Sequence, residues 1–381
     1  MHRTLFNKDH DSFRDAVRQF TERVLAPRHE EMLRRKSIPR DIWQEAGALG
    51  ILGLSVPEEY GGTGAGDFRF NAVADEELAG FSFGVGASLA LHTDTCPPYL
   101  VELGTEEQKQ RWLPGIASGD LISAIAMTEP SGGSDLAALK TTAVRHGEDW
   151  LVSGSKTFIT NGHQADLVIV AARTGPGERA KGISLFVVEA GMPGFERGRK
   201  LDKVGQEEAD TAELFFTDVR VPDSHRLGEV GQGFASMMRL LPQERLSTAV
   251  TSTGHVARLL HETIEYAKER RAFGETIGSF QHNKFLIAEL VTRVEVTQAY
   301  VDQCVLAHTR GELTPVDAAK AKWWAAETQN AVLDECVQLH GGYGYMNEYR
   351  IARAWRDARV TKIWAGSNEI MKEVIGRDLG L

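Results

Sequence analysis

Cysteine is scarce. Cys96, Cys304 and Cys336 are the only three in 381 residues, an odd number without CxxC or metal-ligand spacing. That excludes a disulfide framework and points to a reducing cytoplasm. Long hydrophobic runs are also missing. The apolar stretches at 167–172 and 183–188 fall far short of the ~18 residues of a membrane helix. The opening residues, Met1-His-Arg-Thr-Leu-Phe-Asn-Lys-Asp-His, read as no secretory signal. Positive charge is in deficit, 43 basic against 53 acidic residues for a net charge of −10, and the acids are dispersed. Nucleic-acid binding requires a basic footprint, and none is present. Nor is there a glycine-rich dinucleotide or Walker A motif. Gly64 and Gly66 would need a third glycine at Arg69, and Gly342 and Gly344 would need one at Asn347. A phosphate-bearing ligand must be held in some other way.

What is present falls into three zones, a number compatible with this length. The first, to about Asp120, is helical. Phe13, Ala16, Val17, Phe20 and Val24 form a stripe of 3–4 period, and helical character returns at Ala72–Leu78 and Glu106–Ile116 after the glycine-rich stretch 61–66. The second zone carries short β-prone runs: Trp150-Leu-Val, Thr157-Phe-Ile-Thr, Leu167-Val-Ile-Val, Ile183-Ser-Leu-Phe-Val-Val and Glu213-Leu-Phe-Phe. Turn signals separate them at His146-Gly-Glu-Asp, Asn161-Gly162, Gly175-Pro-Gly177 and Met192-Pro-Gly194. The third zone is helical again, near 234–271, 282–309, 316–339 and 367–379, and reads as an antiparallel bundle. The expected fold is α+β. An N-terminal helical domain (1–120) is followed by a middle β domain (121–232) and a C-terminal helical bundle (233–381).

The stretch Ala126-Met-Thr-Glu-Pro-Ser-Gly-Gly-Ser-Asp135 packs two glycines between hydroxyls, so its N–H groups can crowd an anion. A Ser/Gly-rich turn by itself is usually only a turn. Here it has companions. Residues 126–135 resemble the first signature of the acyl-CoA dehydrogenases. Gln338-Leu-His-Gly-Gly-Tyr-Gly-Tyr345, continued by Glu348, Arg353 and Asp357, resembles the second. Pro57-Glu-Glu-Tyr-Gly-Gly62, Lys156-Thr-Phe-Ile-Thr-Asn-Gly162, Glu269-Arg-Arg-Ala-Phe-Gly274 and Ile363-Trp-Ala-Gly-Ser-Asn-Glu-Ile370 match as well. The likeness runs through nearly the whole chain in the right order, and that family's middle domain is a β-barrel.

The resemblance implies FAD bound between the β domain and the C-terminal bundle of a homotetramer. It places Ile125, Met127, Thr128 and Ser134 along the flavin and its pyrophosphate. Phe158, Ile159 and Thr160 match the segment covering the isoalloxazine ring. Arg270, Phe273 and Gln281, with Gln338, Gly341 and Gly342, match residues that reach a neighbouring subunit's cofactor, and an arginine fork suits a diphosphate. Ser367 and Glu369 match the remaining flavin contacts. Ser134, Arg245, Ala365 and Gly366 fall on the substrate. Without the resemblance, Phe158 and Phe273 would be read as ordinary core residues.

Oxidising an acyl thioester to its trans-2-enoyl form removes a proton from Cα and a hydride from Cβ, so a carboxylate must stand beside Cα. Many members of the family carry that base as the third residue of Ile-Tyr-Glu-Gly-Thr. This chain reads Ile363-Trp-Ala365-Gly366-Ser367. The long-chain and isovaleryl branches instead place the base on an earlier helix, one residue before an arginine, and Glu244-Arg245 matches them. Glu244 shares a helix face with Met237 and Leu241, where burial would raise its pKa. Pro242 would bend that helix. From pattern alone a solvated glutamate is the commoner outcome. Alanine keeps the N–H that holds the thioester oxygen in the family. His340 is expected to serve packing or spacing, and no metal is assigned.

The leading expectation is therefore an FAD-dependent acyl-CoA dehydrogenase passing electrons to an electron-transferring flavoprotein. The alternatives are a non-catalytic acyl-CoA or flavin binder, a nucleic-acid-associated offshoot disfavoured by charge, and an oxidase, whose chains are usually longer.

Overall fold

The computed structural model describes residues 3–175 and 180–381. Two residues of the expected Gly175-Pro-Gly177 turn, Pro176 and Gly177, lie outside them. α1 (Lys8–Phe20) starts at Asn7, whose side chain accepts from the Asp9 and His10 N–H groups. The apolar stripe then slips. Thr21–Leu25 form a π turn, closed by the Ala26 N–H on the Thr21 carbonyl, before α2 (Ala26–Arg35). One extra residue per turn rotates the stripe, so Leu25 rather than Val24 is fully buried. There follow α3 (Arg40–Ala48), α4 (Phe68–Phe81), α5 (Phe83–Ala90), a second π turn (Leu91–Thr95), α6 (Cys96–Leu103) and α7 (Glu106–Ser118).

The middle of the chain is one eight-stranded sheet. Its strands are β1 (Ser123–Ala126), β2 (Thr142–His146), β3 (Asp149–Thr160), β4 (Leu167–Arg173), β5 (Ile183–Glu189), β6 (Phe195–Lys200), β7 (Thr211–Pro222) and β8 (Arg226–Leu227). The order is β6-β7-β3-β2-β4-β5-β8, with β1 parallel to β4 on the side. Among the described residues β6 and β8 do not pair, so the sheet curls without closing into a ring. The two β-prone runs at 150 and 157 are a single strand, β3, bulged against β7 between Lys156 and Ile159. β4 and β5 are buried on both faces, which explains their unbroken apolar runs. Val168, Val170, Phe186 and Val188 face the sheet's own core. Leu167, Ile169, Leu185 and Val187 face Tyr99, Trp112 and the start of the next long helix at Met237 and Leu240.

That helix, α8 (Gly233–Glu269), runs uninterrupted through Pro242. A two-stranded hairpin (β9, Arg271–Ala272; β10, Glu275–Thr276) leads to α9 (Gln281–Thr309), α10 (Pro315–His340), α11 (Arg350–Ala358) and α12 (Asn368–Asp378). The two helical zones share a core. Phe68 and Ala72 of α4 pack with Leu246 and Val250 of α8, Val301 and Val305 of α9 and Ala325 of α10. α8 thus lies at the centre, touching sheet, N-terminal helices and bundle together.

Candidate active site

Glu244 sits on this central helix, and the Tyr99 hydroxyl on α6 donates to its Oε1 at 3.0 Å. Residue 244 is half-buried overall, yet its carboxyl is enclosed. Burial raises its pKa to about 7, against the opposing pull of the Tyr99 hydrogen bond and Arg245. Arg245 is buried, and its Nε has no partner among the described residues. One terminal nitrogen would lie 3.8 Å from a Cβ added to Gly366. The same glycine's carbonyl accepts from buried Lys322 Nζ at 2.6 Å, with Asn368 Oδ1 at 3.3 Å. Burial, then repulsion from Arg245, drops the Lys322 pKa to about 7. Arg245, next to Glu244 on the helix, therefore reaches the turn that follows Ala365, the other position the sequence offers for a base. Ala365 is held at φ 51°, the left-handed region, and its N–H finds no acceptor among the described residues. An unpaired N–H on a turn that buried Lys322 and Arg245 approach suits the oxygen of a polarised thioester.

A second group forms where β1 ends. Ile125, Met127 and Thr128 are half-buried there, and Ser134 is exposed. Two hydrogen bonds to backbone carbonyls join this turn to β3: the Thr157 N–H donates to the Thr128 carbonyl at 3.0 Å, and the Lys156 side-chain Nζ to the Met127 carbonyl at 3.1 Å. Lys156 also pairs with Glu129 at 3.0 Å, and both are buried. Burial would raise the Glu129 pKa, but Lys156 and the N–H groups of Lys140 and Thr141 outweigh it and hold the carboxyl near about 2. Burial drops Lys156 to about 8 against the Glu129 attraction.

Phe158 follows directly, at φ 60° and 68% exposed, so it is no core residue. A left-handed, solvent-facing aromatic on a strand costs conformational energy with no packing gain inside the chain. It suits a ring surface laid over it. Ile159 points the other way, into the sheet core, leaving its main chain for any ligand. Thr160 is half-buried beside it. These residues fit a flavin bound along 125–134 and 156–160.

The remaining expected residues lie in a third group. Arg270 stands over the Tyr343 ring at 5.4 Å, and Tyr266 stacks on His340 at 4.2 Å. They border a recess of about 460 Å³ that Gly341 and Gly342 also line. Gln338, Gln281 and Phe273 are exposed, Phe273 by 98% and at φ 53° on the hairpin tip. No hydrogen bond or ring contact among the described residues joins this group to the β1–β3 group. His340 is held by its stack and by the Cys336 carbonyl at 2.8 Å. Ser367 caps α12 by accepting the Ile370 N–H, and Glu369 is exposed in that helix's first turn. No set of three His, Cys, Asp or Glu able to hold a metal occurs among the described residues.

Sequence reasoning missed Tyr99, Glu129, Lys156 and Lys322 as parts of the site. Glu129 and Lys156 stood inside matched segments, so their motif position was a signal. Tyr99 and Lys322 gave none, because their partners are 145 and 44 residues away.

A helical body packed on the sheet, an enclosed carboxyl and an outward ring platform make a site that suits a flavin and a general base. Family models match in order and without overlap: acyl-CoA dehydrogenase N-terminal domain at residues 7–120, middle domain at 124–219 and C-terminal domain at 231–380. The chain belongs to the acyl-CoA dehydrogenase family. It is 48% identical over 379 residues to the mouse (Mus musculus) mitochondrial long-chain specific acyl-CoA dehydrogenase, covering 99% of this chain and 88% of that one. With the potato (Solanum tuberosum) mitochondrial isovaleryl-CoA dehydrogenase it shares 37% over 377 residues, 98% and 91% of the two chains. The crystal structure of acyl-CoA dehydrogenase from Geobacillus kaustophilus superposes with a TM-score of 0.96 at 45% identity, covering 100% of both chains. The protein is an oxidoreductase of acyl-CoA thioesters with FAD as cofactor. This sets aside the non-catalytic binder.

Proposed function

We propose that Glu244 is the base, and that the substrate is an acyl-CoA of the long-chain or branched class. The observation that carries this is the enclosed Glu244 carboxyl, held by Tyr99 on a helix whose next residue, Arg245, reaches the Gly366 turn. Glu244 takes the Cα proton while the Ala365 N–H holds the thioester oxygen, and Arg245 and Lys322 brace the turn from behind. Bound FAD supplies the acceptor for the hydride leaving Cβ. A carboxyl with its pKa near 7 both removes a proton at neutral pH and keeps it once taken. Flavin reduction in single turnover should therefore rise with pH through about 7 and level off above it. A rate flat from pH 5.5 to 8.5, a window of about three units around that pKa, would exclude this carboxyl. The substrate class is tested by anaerobic bleaching of the flavin with a panel of straight and branched acyl-CoA thioesters. Fastest bleaching by short straight chains would reject the proposed class.

The reading extends to assembly and electron transfer. Phe273, fully exposed in a strained turn, and the Arg270 recess call for cover by another subunit, which fits a homotetramer. Arg270→Ala or Gln281→Ala should loosen FAD and weaken the oligomer together, as seen by flavin retention on dilution and by sedimentation. Unchanged flavin affinity in both variants would separate the recess from the cofactor. Reduced flavin would be reoxidised by an electron-transferring flavoprotein. The three cysteines are free and buried, and among the described residues no helix is long and apolar enough to cross a membrane. A cytoplasmic setting accommodates both features.

A further inference from the structure

The Tyr99 hydroxyl touches Glu244, and the frame around that contact is closed on both sides. Tyr99 is fully buried on α6. α6 continues directly from the π turn at Leu91–Thr95, which α8 clamps at the residues flanking Glu244. One residue before it, Gln243 Nε2 donates to the Asp94 carbonyl at 2.7 Å. Three residues after it, Ser247 Oγ lies 2.7 Å from Asp94 Oδ2 and 2.9 Å from Asp75 Oδ2. Asn71 Nδ2 donates to the other Asp94 oxygen at 2.6 Å. A hydroxyl has one proton, so between two carboxyls it donates to one and accepts from the other, which must be protonated. Burial and the mutual repulsion of the pair hold the Asp75 carboxyl well above its usual range. The segment bearing Tyr99 and the turn bearing Glu244 are thereby held at fixed register.

We propose that Tyr99 is the positioning residue of the base, engaging Glu244 Oε1 so that Oε2 is the oxygen presented to the Cα–H bond. This rests on the reading of Glu244 as the base. In the reaction the Cα–H bond breaks and its proton forms an O–H bond on Oε2. The electron pair left on Cα forms the Cα=Cβ bond as a hydride leaves Cβ for the flavin. The phenol is a donor throughout, since burial and the nearby Glu244 charge keep its pKa well above the usual value. It therefore favours the ionised carboxylate over the acid. The other ionisable groups facing this pair are Arg245 on α8, Cys96 and Glu102 on α6, and Asp94 and Asp75 behind the π turn. Lys322 on α10 and Glu369 on α12 lie beyond Arg245.

The test is Tyr99→Phe in the FAD-loaded enzyme, with anaerobic flavin reduction followed against pH. Removing a donor from a buried carboxylate should move the acid limb upward by about 1 pH unit and lower the plateau several-fold, while the ring's packing and the thermal midpoint are kept. In a Glu244→Gln background the same substitution should change the residual rate by less than about twofold, because it acts through the carboxylate. An unmoved acid limb, or an equal loss in both backgrounds, overturns the role of Tyr99. Near-normal flavin reduction in Glu244→Gln overturns the base assignment instead, so the two failures are distinguishable.

Discussion

Glu244→Gln is expected to bind acyl-CoA and leave the flavin oxidised. The amide keeps the shape of the side chain and can still accept the Tyr99 hydrogen bond, so neither the fold nor the substrate pocket is disturbed. What is lost is the negative charge and basicity that let the carboxylate take the Cα proton. General-base removal costs typically ~10²–10⁴ in rate, and a weakly acidic Cα–H places this enzyme toward the upper end. Rapid-mixing measurement of flavin reduction, with acyl-CoA affinity titrated separately, resolves the two steps. A large loss of affinity with little loss of rate would make Glu244 a binding residue. Adding Ala365→Glu should restore part of the rate, because that is the other position the sequence offers for a base, and Arg245, next to residue 244, reaches its neighbour Gly366. Its left-handed backbone is already occupied by a side-chain-bearing residue, so the conformational cost of the exchange is small.

The zoning and a candidate for the base were legible in the sequence because both signals are local. A stripe of period 3–4 and short β-prone runs report which face of an element is buried. Alanine at 365 with Glu-Arg at 244–245 is a motif-level signal. The exceptions are physical. β6, Phe-Glu-Arg-Gly-Arg-Lys, carries no alternation because it is an edge strand paired to β7 alone. The slip at Thr21–Leu25 is a π turn that no composition marks. α11 is short, and the second signature carries Arg353 and Asp357 without marking a helix there. Within the site, the sequence marked the residues expected at flavin and substrate and missed what braces them. Bracing runs through partners far apart in the chain, as from Lys156 to Glu129 or Lys322 to Gly366. Phe158 and Phe273 show the reverse: composition favours burial for phenylalanine, and the left-handed backbone turns both outward.

Lys156→Met should be the most damaging substitution for stability that leaves every proposed catalytic residue in place. Lys156 is buried and holds two things at once, the Glu129 carboxylate and the Met127 carbonyl. Removing one partner of a buried ion pair typically costs ~3–5 kcal/mol, because the other charge stays desolvated. Glu129 keeps its bonds from the Lys140 and Thr141 N–H groups at 2.6 and 2.8 Å, which places the cost at the lower end. The damage should concentrate where β1 leads into the flavin platform, so FAD should dissociate on gel filtration before the helices melt. Glu129→Gln is expected to cost less. Without Glu129 the lysine, already at about 8 in the pair, loses the attraction that raises its pKa and can shed its proton, whereas Glu129 without Lys156 still accepts the Lys140 and Thr141 N–H bonds that favour the carboxylate. The double variant Lys156→Met/Glu129→Gln should recover part of the Lys156→Met loss, since no uncompensated charge remains. Thermal midpoints of the FAD-loaded proteins and the flavin fraction retained after filtration give the order. If Glu129→Gln proves the more damaging single change, the asymmetry between the two partners is wrong and Lys156 is not what holds the turn.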